Sequence, residues 1–274
     1  MINTPKTILV VGASSGFGKA CADLLVRDGH KVYGTSRRAE PAGANMDKFP
    51  VMVPMNVQQD DSVASAIEQI IRLSGRIDVV INSAGIGYAG SVEDMSMVEF
   101  KDQLETNFFG VVRVTKAVLP HMREQGCGLF INISSIGGFI GLPFQSAYSA
   151  SKFALEGFTE SLRHEVKPFG IKAVLLQPGD FKTGFTNNRL FSKGQTPKSV
   201  YYQACTDAIE TTIAGEVNGK SPDALAVKVA RLIEREQPSV RYTCGPAMQQ
   251  LAARAKYWMP ALLFERLIAN EFKK

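Results

Sequence analysis

The chain is short of metal and redox ligands. Only three histidines, His30, His121 and His164, accompany four cysteines, Cys21, Cys127, Cys205 and Cys244. No Cys-x-x-Cys spacing occurs, and no histidine recurs beside a cysteine at ligand spacing, which argues against zinc and against a disulfide framework. Four free thiols in a reducing compartment are the expectation. No apolar run approaches the roughly 18 residues a spanning helix needs. Met1–Pro5 is polar and leads straight into an apolar strand, with no charged, apolar and small-residue succession of a signal peptide. A cytoplasmic protein is expected. Charge of one sign is also scarce: 31 Lys+Arg oppose 26 Asp+Glu, a formal net charge of +5. The basic residues form short pairs such as Arg37-Arg38 and Lys273-Lys274 rather than a stripe, so nucleic acid is not an expected partner. An anionic small ligand is compatible with that balance.

What is present is the composition of an ordinary globule: 274 residues, 45% hydrophobic and 21% charged, with 24 glycines and 13 prolines spread along the chain. A disordered tail, a collagen-like repeat and a stapled mini-protein are excluded. Short, almost wholly apolar runs alternate with amphipathic stretches. The runs are 7–11, 31–35, 51–55, 79–82, 129–133 and 173–176, and they read as strands buried on both faces. Helical patterns fall at 18–28, 62–73, 100–124 and 147–167, the third marked by Leu104, Phe108, Val111, Val112, Thr115, Val118 and Leu119. Repeated strand–helix–strand units with short loops imply parallel strands and right-handed crossovers. The expected fold is therefore α/β, a doubly wound parallel sheet with helices on both faces. Residues 178–221 lose periodicity apart from a helix near 200–213; a helix over 223–236, a strand over 240–243 and a helical stretch over 248–272 broken at Pro260 follow. With no linker or repeat, residues 1–274 read as one domain: a core of about 5–183 plus 240–245, a substrate-loop region of about 184–222, and a C-terminal helical extension of about 247–274.

The first strand enters Gly12-Ala13-Ser14-Ser15-Gly16-Phe17-Gly18 and then a helix. Glycines permit a tight turn and close approach of a pyrophosphate, and a helix N-terminus offers free N–H groups to an anion. The spacing departs from G-x-G-x-x-G. The same residues match the G-x-S-x-G nucleophile elbow, but a serine on the first strand lacks the upstream loop for an oxyanion hole, and the acid and histidine candidates are weak. A mononucleotide P-loop fails because Ala13 and Ala20 stand where Gly and Ser/Thr belong. A dinucleotide loop is the surviving reading. NAD sites place an acid at the end of the second strand; here Gly34-Thr35-Ser36-Arg37-Arg38 has none, and guanidinium forks suit a 2′-phosphate. NADP(H) is expected, with Arg37 as main phosphate ligand and Arg38 assisting.

Tyr148 and Lys152 stand at i and i+4, on one helix face. A nearby cation favours the phenolate of a group whose reference pKa is about 10, which suits proton transfer to a carbonyl. Ser134-Ser135 closes a preceding strand and Asn107 lies on an earlier helix. With these motifs in order over roughly 5–183, the chain resembles the short-chain dehydrogenase/reductase family and its Rossmann-type fold. The resemblance implies that Gly12, Gly16 and Gly18 are cofactor-loop glycines, with Ser14, Ser15 and Phe17 between them. It implies that Asn82-Ser83-Ala84-Gly85 takes the place of Asn-Asn-Ala-Gly, that Asn56 and Val57 lie by the adenine, and that Pro178-Gly179 with Thr183 holds the nicotinamide carboxamide. The implied catalytic tetrad is Asn107, Ser135, Tyr148 and Lys152: Tyr148 as acid or base, Lys152 on its pKa and the ribose hydroxyls, Ser135 on the substrate oxygen, Asn107 anchoring a water-linked relay. Val11, Ser83 and Asn56 depart from the family's Thr, second Asn and Asp, and retuned affinity is expected from them.

The stretches 137–144 and 151–157 are similar to those of hydroxysteroid and retinol dehydrogenases of that family. Leu142, Phe144, Phe181 and Phe185 would give an apolar pocket for a lipophilic ketone or alcohol, steroid- or retinoid-like. A general reductase of small ketones and aldehydes is the nearest alternative, and a non-catalytic NADP(H)-binding sensor a more distant one. The resemblance also implies a homodimer or homotetramer through helices 100–124 and 147–167. The apolar run Tyr257-Trp258-Met259-Pro260-Ala261-Leu262-Leu263-Phe264, with Leu267, Ile268 and Phe272, packs on its own domain in the leading reading. A lid, a subunit contact and a membrane-surface helix remain open.

Overall fold

The computed structural model describes residues 4–39, 49–256 and 258–272. Tyr257 of the apolar run, Met1–Asn3 and the Lys273-Lys274 pair lie outside the described residues. Seven strands make one parallel sheet: β1 (Thr7–Val11), β2 (Lys31–Ser36), β3 (Val51–Pro54), β4 (Val79–Asn82), β6 (Gly128–Ile133), β7 (Ile171–Pro178) and β9 (Arg241–Cys244). Their spatial order is β3-β2-β1-β4-β6-β7-β9. The order reverses between β1 and β4, so the carboxyl ends of these two strands flank the crevice where a doubly wound sheet takes a ligand. A second, two-stranded sheet pairs β5 (Tyr88–Ala89) with β8 (Leu190–Phe191), each too short to announce itself by alternation.

The central strands are mostly apolar because both faces of the sheet are covered. Along β1, Ile8 and Val10 join one core cluster while Leu9 and Val11 join the other. The first cluster is closed by α1 (Gly16–Arg27) and α7 (Pro222–Ile233), through residues such as Leu25, Leu225 and Val229. The second is closed by α2 (Asp60–Ser74), α4 (Gly110–Gln125) and α5 (Ser146–Val166), through Ile67, Ile70, Val114, Val118 and Leu162. The chain is one domain with helices on both sheet faces. The remaining helices are α3 (Met97–Leu104), α6 (Tyr202–Val217), α8 (Ala247–Ala255) and α9 (Ala261–Glu271). No helix among the described residues is long and apolar enough to cross a membrane.

The helix expected over 100–124 starts earlier and is not uniform. Ser96 caps α3 through a capping box with Glu99, and a π-helical turn, Glu105–Phe109, joins α3 to α4. One residue is thereby added to a turn without breaking the apolar stripe, which is why spacing did not reveal it. The C-terminal stretch breaks at Pro260, the N-cap of α9. Phe264 packs with Phe139 and Ile140, and Ile268, Leu142 and Met259 close around them. The C-terminal helix thus packs on its own domain, while Trp258, Leu262, Leu263 and Leu267 are exposed.

Phe130 on β6 is fully buried at the centre of the second cluster. Phe130→Ala should lower unfolding stability by about 3–5 kcal/mol, whereas Phe169→Ala, at an exposed position, should change it by no more than about 0.5 kcal/mol. Urea unfolding checks both, and similar losses for the two would contradict the assignment of the core.

Candidate active site

The turn after β1 is built for close approach. Gly12 has φ +82 and Gly16 φ +53, left-handed conformations that glycine adopts without a steric penalty. A Cβ on Gly12 would lie 2.9 Å from the Ala84 backbone, and one on Gly18 would lie 2.2 Å from the Gly12 carbonyl oxygen. The loop therefore nests against the Ser83–Ala84 segment only without side chains at positions 12 and 18. Ser15, at the N-cap of α1, makes no side-chain capping bond, and no acid occupies the first turn. The first N–H groups of α1 are left to an anion from outside the helix. Arg37 and Arg38 lie exposed just past β2 and form no ion pair among the described residues. Thr183 reaches over the loop from the other side, its Cβ 3.8 Å from where a Gly16 Cβ would be. Val57 and Ala84 border a small apolar hollow with Val11, Asn82 and Val111, and the backbone N–H of Asn56 is held by Ser62 Oγ at 2.9 Å. The unmatched N–H groups and the glycine turn together fit a dinucleotide.

Beside this loop, at the carboxyl end of β6, Ser135 Oγ accepts the Gly137 N–H at 3.0 Å and lies within hydrogen-bond reach of the Tyr148 hydroxyl. Tyr148 and Lys152 stand on the first turns of α5. Lys152 is buried, and its Nζ donates to the Ile133 carbonyl at 2.8 Å and lies 5.8 Å from the centre of the Tyr148 ring. Burial drops the Lys152 amine to a pKa of about 8, an effect opposed by the negative charge of Glu156. The Tyr148 phenol is raised above its ordinary value, foremost by burial; Ser135 beside it and Arg189 pull it back, and Glu216 adds to the rise. The expectation that Lys152 dominates the phenol is thus not what the geometry gives. The ammonium is turned onto a strand carbonyl, and desolvation decides the direction.

Asn107 sits within the π turn. Its Oδ1 accepts the Ile86 N–H at 2.9 Å, and its Nδ2 donates to the Ile86 carbonyl at 3.0 Å and to Ser151 Oγ at 3.2 Å. Ser151 in turn donates to the Tyr148 carbonyl at 2.7 Å. One amide thereby ties the loop after β4, the π turn and the tyrosine-bearing helix together. Asn82, expected beside a cofactor, donates to Asn132 at 2.8 Å, and Asn132 donates to Thr159 at 2.9 Å; these bonds stitch β4, β6 and α5.

The residues expected to line a pocket divide. Phe185 lies against Tyr148, ring centres 5.8 Å apart. Leu142 joins the Phe139–Phe264 cluster, and Phe144, at a left-handed φ of 57, packs with Ala89, Cys205 and Ile209. Phe181 is a correction: it is 3% exposed within the core, edge-on to Phe17 at 5.1 Å, and not beside Tyr148. A strand-end phenylalanine next to α1 buries more apolar area there than in a polar cleft. Phe17 itself turns toward that core. Several residues were not foreseen. Glu156, one turn after Lys152, is buried and accepts from Gln177 Nε2 at 3.0 Å and from Arg241 Nε at 2.8 Å; its i+4 spacing from Lys152 was the available signal. Ser151, Arg189 and Glu216 carried none beyond lying in the right segments.

Known proteins resemble this chain in sequence and in fold. The family model described as short chain dehydrogenase matches residues 6–193. A 3-ketodihydrosphingosine reductase of Bacteroides thetaiotaomicron is 46% identical over 93% of this chain and 94% of its own. Retinol dehydrogenase 8 of Bos taurus is 32% identical over 88% of this chain and 82% of its own. A crystal structure of a short-chain dehydrogenase from Streptomyces avermitilis superposes with a TM-score of 0.81 at 32% identity, covering 93% of each chain.

A lysine whose folded pKa, about 8, lies below its unfolded value of about 10.4 binds fewer protons when folded. Its charge then opposes folding by about 3 kcal/mol below pH 8, and the opposition fades as pH rises from about 8 to about 10.4. Without added coenzyme, Lys152→Met should therefore melt at a higher temperature than the wild type at pH 7, with the gap narrowing toward pH 10. A variant less stable at pH 7, or a gap independent of pH, would contradict the buried charge.

Proposed function

The chain belongs to the short-chain dehydrogenase family, and from that premise we propose that it is an NADP(H)-dependent reductase of a lipophilic ketone, the ketone of a long-chain amino alcohol. The observation that carries the reading is the meeting of Ser135, Tyr148 and buried Lys152 beside a glycine loop whose neighbouring strand ends in Arg37 and Arg38. The absence of an acid at that strand end and the presence of two arginines favour the phosphorylated coenzyme. The 46% identity to a 3-ketodihydrosphingosine reductase favours a long-chain amino ketone over a steroid or retinoid, the substrates that the sequence motifs alone suggest.

The nicotinamide coenzyme, when bound, supplies the hydride. Phosphate oxygens would rest on the N–H groups at the start of α1, with Arg37 and Arg38 on the 2′-phosphate. Ser135, whose Oγ already accepts from Gly137, spends its proton on the carbonyl oxygen of the substrate and fixes it in place. Tyr148 gives that oxygen a proton. A phenol raised above its ordinary value keeps the proton at neutral pH, the state a donor needs in the direction of reduction. Lys152, anchored on the Ile133 carbonyl, places positive charge behind the phenol as its own proton leaves. Asn107 holds Ile86 and α5 in register and anchors the relay that restores the proton. Phe185 excludes water from the phenol. Assembly as a dimer or tetramer through α4 and α5 belongs to the same reading and is favoured by the exposed Phe109 and Phe153.

Purified protein should oxidise NADPH with a long-chain amino ketone, and Tyr148→Phe should lower kcat by about 10²–10⁴ with coenzyme binding retained. Turnover of the variant near that of the wild type would overturn the role of the phenol. Replacing Arg37 and Arg38 together by Ala should narrow the NADPH-to-NADH ratio of kcat/KM by about 10–100-fold, the scale of one or two charge-assisted hydrogen bonds. An unchanged ratio would remove the arginines from coenzyme choice.

A further inference from the structure

Arg189 lies just before β8, in the segment that follows Thr183, and its side chain is only 2% exposed. One terminal nitrogen, Nη2, donates to Glu216 Oε1 at 2.5 Å. The other two, Nε and Nη1, are buried with no hydrogen-bond partner among the described residues. A guanidinium has five N–H donors in a fixed fork, and burying them unmet is costly unless a ligand or water supplies acceptors.

The position of Arg189 directs that demand toward the reacting centre. The Phe185 ring lies 5.8 Å from the Arg189 guanidinium and 5.8 Å, tilted, from the Tyr148 ring, and the charges of Arg189 and Glu216 both act on the Tyr148 phenol. Glu216, near the end of α6, also accepts from Thr186 Oγ1 at 2.7 Å and still has unused lone pairs. Asp180 sits against the same turn, where a Cβ on Gly215 would meet its Oδ2 at 2.3 Å. Earlier on α6, Cys205, Ile209 and Ile213 belong to an apolar cluster with Ala89 and Phe144. That cluster is buried core, whereas Arg189, and Glu216 at the end of α6, act on the charge of the Tyr148 phenol.

Charge decides what the polar end accepts. Glu216 already neutralises Arg189, and the neighbouring Asp180 carboxyl, held by Gln249, adds no positive charge, so an anionic group finds no unpaired cation while an ammonium can be met by Glu216. The free N–H groups of Arg189 call at the same time for a neutral oxygen. We propose that Arg189 and Glu216 form a head-group subsite, in which Nε and Nη1 of Arg189 donate to a substrate hydroxyl and Glu216 accepts from a substrate ammonium on the carbons beside the ketone. The subsite rests on the long-chain amino ketone reading and assigns residues to it.

Three ketones of equal chain length serve as probes: one with the free amine and hydroxyl, one N-acetylated, and one lacking both groups. NADPH oxidation by the wild type should show kcat/KM at least tenfold higher for the first than for the third, with the acetylated ketone near the third. Glu216→Gln, close in shape to the native residue, should cut that ratio at least tenfold. Arg189→Lys, which keeps the charge but loses the fork, should lower it as well. Equal kcat/KM for the three ketones in the wild type, or a ratio unmoved by Glu216→Gln, would overturn the subsite while leaving the long-chain reductase reading standing. If none of the three is reduced, that reading falls and the subsite with it.

Discussion

The site depends on one buried ammonium. Lys152 is held against the Ile133 carbonyl at the end of β6, with the Tyr148 ring beside it, and burial lowers its proton affinity to a pKa of about 8. A charge in such a place is costly unless partners fix it. The partners are a strand carbonyl and, one helical turn away, Glu156, itself tied to Gln177 on β7 and Arg241 on β9. The electrostatics of the lysine thus draw on three neighbouring strands of the sheet, and the helix that carries Tyr148 cannot shift without breaking them.

The same logic places the other groups. Parallel strands deliver their carboxyl ends to one edge, where β1 contributes the glycine turn and β6 the serine. Asn107 then fastens the loop after β4 to α5 through Ile86 and Ser151. The π turn at Glu105–Phe109 carries this asparagine, in keeping with the tendency of such turns to occur at functional sites. Phe185, Arg189 and Glu216, by contrast, come from an irregular segment and the end of a helix.

Much of this is legible in the amino-acid sequence. Strands buried on both faces are apolar at nearly every position, so β1, β4 and β6 stand out, and Gly12 and Gly18 mark places in the turn that tolerate no side chain. The Ser96–Glu99 capping box was also visible in the sequence and would have moved the start of the third helix back. The π turn was not legible, because its extra residue leaves the apolar stripe intact. Nor were β5 and β8, each two residues long and set by pairing rather than pattern. Phe181 misled for a general reason: an aromatic residue after a strand serves the core or a pocket equally well, and only packing against Phe17 decides. Arg189 has no sequence signature, since its meaning lies in the partners it lacks.

The central claim is that hydride passes from a phosphorylated nicotinamide coenzyme to a lipophilic ketone at this site. Reduction of a long-chain amino ketone with NADPH deuterated at the transferable position tests it most directly, with mass spectrometry of the product alcohol as the readout. The account predicts one deuterium on the carbinol carbon, in step with coenzyme oxidised. Alcohol formed without the label, or no alcohol formed while the coenzyme stays reduced, would contradict it.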